Sequence, residues 1–324
     1  MKIVHFCAGL EFWNGMANTA RQFMSEEIAQ GHESEVTDQP FHIVSGVDVV
    51  YIHGAWLPVL WKAAKRAKAV GAKLIIRPAG SYDPVRLAYH GWKKRLAAFF
   101  EHRMLRRADV LLATCAAEAK WIHAYEPRAK NIELTNLKRF FDFNRVERVE
   151  DGGSFDAEAQ KHRGTEIHLL YLGRRHPLKG VEYLEKAVAE LNNNSVNLVQ
   201  EDSTRSTCST RLRIDLKIVS DAFGEELEHV WNWCDVLMLP TLSENFGRVV
   251  AEALERGKRV ITTDGAPVWG EEESGGACEC VREGVVGRLG GKLIYLKGYR
   301  DGSDEERVKL LTKAILTVSG DEMI

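Results

Sequence analysis

The sequence predicts an α/β protein of two doubly wound, Rossmann-like domains facing a cleft, completed by a C-terminal helix. Three observations carry this expectation. Short apolar runs alternate with helix-period segments along most of the 324 residues, the pattern of βα units on a parallel sheet. The alternation lapses once and then restarts. The halves also differ in charge: residues 1–150 hold 22 Lys and Arg against 16 Asp and Glu, the remainder 22 against 30. The chain is therefore expected to divide into a domain over 1–145, a linker over 146–165 and a second domain over 166–324.

In the first domain, strands are expected at Lys2–Cys7, Asp48–His53, Lys73–Arg77, Val110–Thr114 and Ile132–Leu134. Helix-period segments at Asn18–Gln30, Leu60–Val70 and Leu87–Arg107 lie between them. The stretch RVERVEDGGSFDAEAQKHRGT is polar and contains Gly152, Gly153 and Gly164, so it reads as the linker. Beyond it, strands are expected at His168–Leu172, Val196–Val199, Leu216–Val219, Asp235–Leu239 and Arg259–Thr263. Helices are expected at Val181–Leu191, Glu225–Trp233 and Phe246–Arg256. Residues 201–211, EDSTRSTCSTR, read as a polar loop, and Cys278–Tyr295 as a Gly-rich, strand-like segment. Ser303 and Glu306 form a capping box for a last helix whose apolar stripe is Val308, Leu311, Ile315 and Val318.

Composition narrows the function classes. Hydrophobic residues make up 45% and charged residues 28%, ordinary usage for a globular chain. No apolar run reaches the ~18 residues that span a bilayer, and the N-terminus lacks a signal-peptide core, so a cytoplasmic location is expected. Six scattered cysteines, with only Cys278 and Cys280 close together, read as free thiols in a reducing compartment. No G-x-G-x-x-G follows a strand and no Walker A loop occurs, which disfavours a dinucleotide oxidoreductase and a P-loop enzyme. Nothing resembles a nucleic-acid reader.

Two segments carry chemistry. In LMLPTLSENFGRVVAEALERG a buried strand ends at Pro240, a polar turn follows, and a helix runs to Gly257. Glu244 lies in the turn and Glu252 in the helix, an offset of about 12 Å at 1.5 Å per residue. That span suits a ribose at one carboxylate and a hexose at the other, with a diphosphate over the amides near Gly247. Two glutamates alone are ordinarily solvated surface groups; the strand-turn-glycine-helix frame favours the functional reading. In YLGRRHPLKGVEYLEKA a strand feeds a loop with Arg174, Arg175, His176 and Lys179. Such cations can neutralise a diphosphate leaving group, and the alternative is a solvated basic loop.

With both segments in view, the chain resembles the large retaining family of glycosyltransferases with the two-Rossmann (GT-B) fold, which includes many bacterial lipopolysaccharide and capsule enzymes. The resemblance rests on Gly173-Arg174 with Lys179-Gly180, and on Glu244-Asn245-Phe246-Gly247 with Glu252-Ala253-Leu254. RVITTDGAPVWGE and the stretch from Ile75 to Ile122 add to it, while Glu201–Arg211 stands outside it. It implies that Arg174 and Lys179 contact the donor diphosphate. It places Glu244, with the Asn245-Phe246-Gly247 backbone, against the donor sugar, and Glu252 at the ribose. It implies a UDP- or GDP-linked donor, no metal, no other cofactor, and front-face departure through an oxocarbenium-like state without an enzyme nucleophile. In the first domain it implies that the backbone approach of the family's first glycine loop rests on Gly15 alone, where Asn14-Gly15-Met16 replaces Gly-Gly, and that Gly80 and Ser81 line the cleft beneath the phosphates; for the histidine some members use there, His53 and His90 are the options, against the reading of a hydrogen-bonded structural residue.

The helix GWKKRLAAFFEHRMLRR, Trp92 to Arg107 at its core, interleaves Trp92, Leu96, Phe99, Phe100 and Met104 with Lys93, Lys94, Arg95, Arg103, Arg106 and Arg107. Two readings stand: an anionic membrane surface, which suits the lipid-linked or glycan acceptors the resemblance implies, or a core-facing apolar stripe with a solvated basic face. The leading functional reading is a metal-independent retaining hexosyltransferase of cell-surface polysaccharide synthesis. A nucleotide-sugar epimerase on the same fold and a non-catalytic nucleotide-sugar-binding subunit are the alternatives.

Overall fold

The computed structural model describes residues 1–10, 15–89, 91–143, 166–193, 197–200, 208–211, 213–220, 222–270, 281–282, 285–288 and 293–320. The chain splits into two compact units, Met1–Phe140 and Phe141–Ile324. The expected linker, 146–165, lies outside the described residues, and residues 141–143 belong to the second unit.

The first unit holds one parallel sheet in the order β2-β1-β3-β4-β5-β6. Its strands are β1 Lys2–Cys7, β2 Glu33–Thr37, β3 Val49–His53, β4 Lys73–Arg77, β5 Val110–Ala113 and β6 Ile132–Leu134. The helices are α1 Gly15–Ala29, α2 Pro58–Ala69, α3 Pro84–Ala88, α4 Gly91–Leu105 and α5 Ala116–Tyr125. Alternate residues of the central strands serve opposite faces. Val4, Phe6, Val50, Ile52, Leu74 and Ile76 pack with Leu60, Ala63, Ala64 and Ala67 of α2, whose small side chains let the helix sit close. Ile3, Val49, Ile75 and Val110 cover the other face, as a sheet buried on both sides requires. The sequence reading misses β2, because ESEVT is an edge strand with one buried residue, Thr37. It also misses α5.

The helix expected over 87–107 is two helices. Asp83 caps α3 by accepting from Val85 N at 3.0 Å, and Tyr89 leaves the helix in an extended conformation. On α4 the core-facing reading holds for Met104 and is overturned for the other four apolar residues of the stripe. Trp92, Leu96, Phe99 and Phe100 are 64%, 75%, 67% and 51% exposed. The buried side is Glu101, Met104 and Leu105. Glu101 decides this: its carboxyl accepts from Tyr82 OH, Trp61 Nε1 and Trp56 N, a set of partners no apolar residue could replace. Burial raises its pKa, with those hydrogen bonds working against the rise.

The second unit holds a seven-stranded sheet, β10-β7-β11-β12-β15-β14-β13, and a two-stranded pair, β8-β9. The strands are β7 Glu166–Leu172, β8 Asn197–Gln200, β9 Cys208–Arg211, β10 Arg213–Val219, β11 Val236–Leu239, β12 Arg259–Thr263, β13 Val281–Arg282, β14 Val285–Arg288 and β15 Leu293–Leu296. Strands β10, β7, β11, β12 and β15 are parallel, while β14 and β13 add antiparallel. The helices are α6 Val181–Asn193, α7 Glu225–Trp233, α8 Arg248–Glu255 and α9 Asp304–Gly320. The capping box holds: Ser303 N donates to Glu306 Oε2 at 2.7 Å and Glu306 N to Ser303 Oγ at 3.3 Å. Val308, Leu311, Ile315 and Val318 are buried. Residues 208–211, expected as loop, form β9 against β8; a polar strand held by backbone pairing carries no hydrophobic period to reveal it. Both units are thus doubly wound. No helix among the described residues is long and apolar enough to cross a membrane. Cys7, Cys115 and Cys234 are buried free thiols, and burial pushes Cys7 up to about 11; Cys278 and Cys280 lie outside the described residues.

Candidate functional site

In the second sheet the winding reverses between β7 and β11, which are neighbours. The crevice beyond the C-terminal ends of such strands is where an open α/β sheet binds ligands. The loop after β7 carries Arg174 and Lys179; the loop after β11 carries Glu244. These two loops are stitched to each other. Leu242 N and Thr241 Oγ1 both donate to Leu178 O, at 2.9 and 3.0 Å. Gly180 follows a 3₁₀ turn, Pro177–Lys179, in the left-handed conformation, and a Cβ there would meet Pro240 O at 2.1 Å. The close approach of the loops therefore requires glycine.

That approach brings Lys179 and Glu244 together. Lys179 Nζ is ion-paired with Glu244 Oε2, and both side chains are half-buried. Glu244 Oε1 accepts from Asn245 N at 3.0 Å, and Glu244 N donates to Gly265 O at 2.7 Å. The turn beneath is anchored by Trp269, fully buried, whose Nε1 donates to Phe246 O at 2.6 Å. Phe246 also stacks on Phe141 at 5.7 Å. Gly247, with φ +66°, is the N-cap of α8 and supplies no side-chain cap, so the first-turn amides present a positive helix end.

The remaining basic-loop residues separate by role. Arg174 is exposed, and its carbonyl accepts from the buried Tyr171 hydroxyl at 2.9 Å. The Tyr171 hydroxyl is raised by burial and by the Glu244 charge. Arg175 instead grips Glu185 through two hydrogen bonds, 3.1 and 2.5 Å. His176 caps the 3₁₀ turn, its Nδ1 accepting from Leu178 N at 3.1 Å. Glu252 sits one turn into α8, half-buried, with Arg248 Nε 3.7 Å away. Burial raises its carboxyl pKa, while Arg248 and Arg256 oppose the rise. The sequence reading quoted the segments that hold Thr241, Tyr171, Gly265 and Trp269 but gave none of the four a role.

In the first unit, Gly15 opens α1 and its carbonyl accepts from Thr19 Oγ1 at 2.8 Å. Gly80 N donates to buried Glu118, and Ser81 Oγ to Pro78 O at 2.6 Å, so both turn their polar groups inward. His53 is buried, 3.0 Å from His5 Nδ1 through its Nε2. His5 in turn reaches Glu27 at 2.8 Å. Burial, His5 and Arg77 push His53 well below the usual histidine range. Burial opposes the Glu27 carboxylate, but hydrogen bonds from His5 and Ser34 outweigh it and lower its pKa. This is a hydrogen-bonded, aromatic-stacked core network. His90 lies outside the described residues.

Comparison with known proteins follows the same division. Residues 42–136 match the glycosyl transferase 4-like domain, and residues 154–289 match glycosyl transferases group 1. A 41.2 kDa protein of the cps region of Klebsiella pneumoniae is 22% identical over 249 residues, 75% of this chain. A D-inositol 3-phosphate glycosyltransferase of Pseudarthrobacter chlorophenolicus is 26% identical over 186 residues, 50% of this chain. The aligned regions span 64% and 41% of those two relatives. Sucrose-phosphate synthase from Thermosynechococcus elongatus shares the fold with a TM-score of 0.63 and 16% identity, covering 99% of this chain and 90% of its own. Anabaena HepE in complex with UDP and glucose gives 0.60 and 14%, covering 100% and 92%.

Proposed function

Because the chain belongs to the glycosyl transferases group 1 family, with a glycosyl transferase 4-like N-terminal domain, we propose that it moves a hexose-type sugar from a UDP- or GDP-linked donor to a glycan or lipid-linked acceptor, with retention and without a metal. The observation that carries this is the meeting of Lys179 and Glu244 at the sheet's switch point, beside the open N-terminus of α8. In this ion pair each neutralises the other. A diphosphate draws Lys179 to itself, with the α8 amides and exposed Arg174 completing the anion site. Glu244 is then released to accept hydrogen bonds from the sugar. Glu252 faces the ribose hydroxyls. Asn245 and Phe246 shape the turn through their backbones. As the leaving group gains charge, Lys179 and Arg174 stabilise it in the role a metal ion plays elsewhere. HepE, known with UDP and glucose, and the relative in a cps region support a nucleotide-sugar donor and a role in cell-surface polysaccharide synthesis.

The test is a thermal-shift panel of UDP, GDP and ADP and their sugars, followed by turnover with and without acceptor. A transferase hydrolyses its donor slowly alone and turns over faster with acceptor. Full-speed conversion of donor alone would make the protein an epimerase, and binding without turnover a subunit. Glu252→Ala is expected to raise the donor KM roughly tenfold, the loss of one charge-assisted hydrogen bond, with kcat little changed. An unchanged KM would remove Glu252 from the donor site.

The exposed face of α4 supports docking on the inner face of an anionic membrane. Trp92, Leu96, Phe99 and Phe100 are exposed beside Lys93, Arg95 and Arg103, and the helix's one acidic residue, Glu101, is buried. Apolar and cationic groups on one helix side suit the interface of anionic lipids. Cosedimentation with phosphatidylglycerol-containing vesicles is expected at low salt, to weaken at 0.5 M salt, and to be lost in Trp92→Ser/Phe99→Ser. Wild-type protein that stays in the supernatant at low salt would refute it.

A further inference from the structure

Residues 141–143 follow the last residue of the first unit but belong to the second, where they pack against both ends of α8. Phe141 stacks on Phe246, and Phe143 meets Trp269 edge-on with ring centroids 6.2 Å apart. Phe246 and Trp269 are themselves 5.4 Å apart. Asp142 N donates to Glu255 Oε1 at 3.1 Å. This short strap is thus fixed at Phe246, in the turn that carries Glu244, and at Glu255, the last residue of α8.

Arg248, the first residue of α8, joins the strap to the ribose end of the site. Its guanidinium carbon lies 5.2 Å from the Phe141 ring centroid, within cation–π range. Its Nε lies 3.7 Å from Glu252 Oε1, one turn further along the helix. At that separation the cation compensates the carboxylate's charge but does not hydrogen-bond to it. Among the described residues nothing donates a hydrogen bond to the Glu252 carboxylate. Burial disfavours the charge on Arg248 and on Glu252, and each opposes that effect on the other. Charge-assisted pairs are strong when they close into direct contact, so an arginine this near needs holding off. The face of Phe141 is placed to do so.

We propose that Phe141 is a positioning residue of the donor site: its ring keeps Arg248 off the Glu252 carboxylate, so that the carboxylate oxygens stay open to the ribose hydroxyls of a nucleoside diphosphate. The inference rests on the reading of Glu252 as the ribose contact. Two neighbouring hydroxyls can each donate to one carboxylate oxygen. A guanidinium that reached the same carboxylate would occupy those lone pairs as a fork. Without the ring, Arg248 and the ribose compete for one acceptor. An aliphatic side chain of similar size fills the space but has no π face to attract the cation.

The experiment is calorimetric titration of the full chain with UDP and with GDP, in wild type, Phe141→Leu, Phe141→Tyr, Phe141→Leu/Arg248→Met and Glu252→Ala. For the nucleotide that wild type binds more tightly, Phe141→Leu should raise Kd roughly fivefold, and Phe141→Tyr should stay within about twofold of wild type. Removing the freed cation in Phe141→Leu/Arg248→Met should return Kd to within about twofold of wild type, a recovery that lost packing could not produce. Phe141→Met carries the same test if the leucine variant fails to fold. Two results overturn the proposal and leave the ribose reading standing: Phe141→Leu binding like wild type while Glu252→Ala binds more weakly, or a double variant as weak as Phe141→Leu. Wild-type affinity in Glu252→Ala would instead remove the ribose reading, and this inference with it.

Discussion

Lys179→Ala and Glu244→Ala are each expected to lower kcat/KM at least ~10²-fold, about 2.7 kcal/mol of transition-state stabilisation. The two residues come from loops 65 positions apart and form one ion pair. Their contributions should not add: once the leaving phosphate has lost Lys179, correct placement of the sugar by Glu244 gains less, so the double variant should fall short of the product of the single effects. Glu244→Gln separates binding from catalysis. It removes the charge that competes with the diphosphate for Lys179, so affinity for UDP or GDP should rise several-fold while turnover falls, since a hydrogen bond to a charged group contributes about 1.5–3 kcal/mol. Calorimetry with the nucleotide and steady-state kinetics with the donor read the two effects independently. Wild-type kinetics in both alanine variants would remove the site assignment. Weaker nucleotide binding in Glu244→Gln would mean that the ion pair organises the anion site rather than competing with it.

Gly180→Ala is expected to destabilise the second unit by about 3 kcal/mol, combining a left-handed non-glycine residue with a core-like overlap. The added methyl would lie 2.1 Å from Pro240 O and 3.0 Å from Tyr299 OH. Neither can retreat easily, because Pro240 ends a buried strand and Tyr299 is fully buried. The loops holding Lys179 and Glu244 would have to part, so donor binding should weaken as well. Gly298→Ala is the control. It shares the left-handed conformation, φ +77°, but has open space around it, so only the conformational cost of about 1 kcal/mol remains. Calorimetry should show the Gly180 variant melting several degrees below the Gly298 variant. Equal Tm values would mean that the two loops are not held in the close approach that Gly180 permits.

Local signals account for what was readable beforehand. Val236–Leu239 is a run of buried residues ending at a proline, Gly247 and Gly257 take positive φ at either end of α8, and Ser303 with Glu306 closes a capping box. Each is decided within about four residues, the range over which caps and turns act. The elements that escaped lacked such signals. β2 buries one side chain, and β9 is polar and held through backbone pairing. The basic loop shows the limit most clearly. Arg174, Arg175, His176 and Lys179 look equivalent as a string, yet Arg175 is committed to Glu185, His176 to the Leu178 amide and Lys179 to Glu244, while Arg174 is exposed.

Helix α4 makes the same point on a larger scale. Its apolar residues recur at helical spacing, which says that they share a side but not which side faces the core. The buried partners of Glu101 settle that, since Tyr82, Trp61 and Trp56 can all donate to it only if the helix turns its carboxylate inward and Trp92, Leu96 and Phe99 outward. The sequence by itself determined the two alternating α/β halves, the Glu-x7-Glu frame and its basic companion, because period, capping and turn chemistry are written in neighbouring residues. Only the tertiary structure decided that Lys179 meets Glu244 and that most of the α4 stripe is exposed. Those pairings follow from the order of strands in the sheet, which brings together residues that are far apart along the chain.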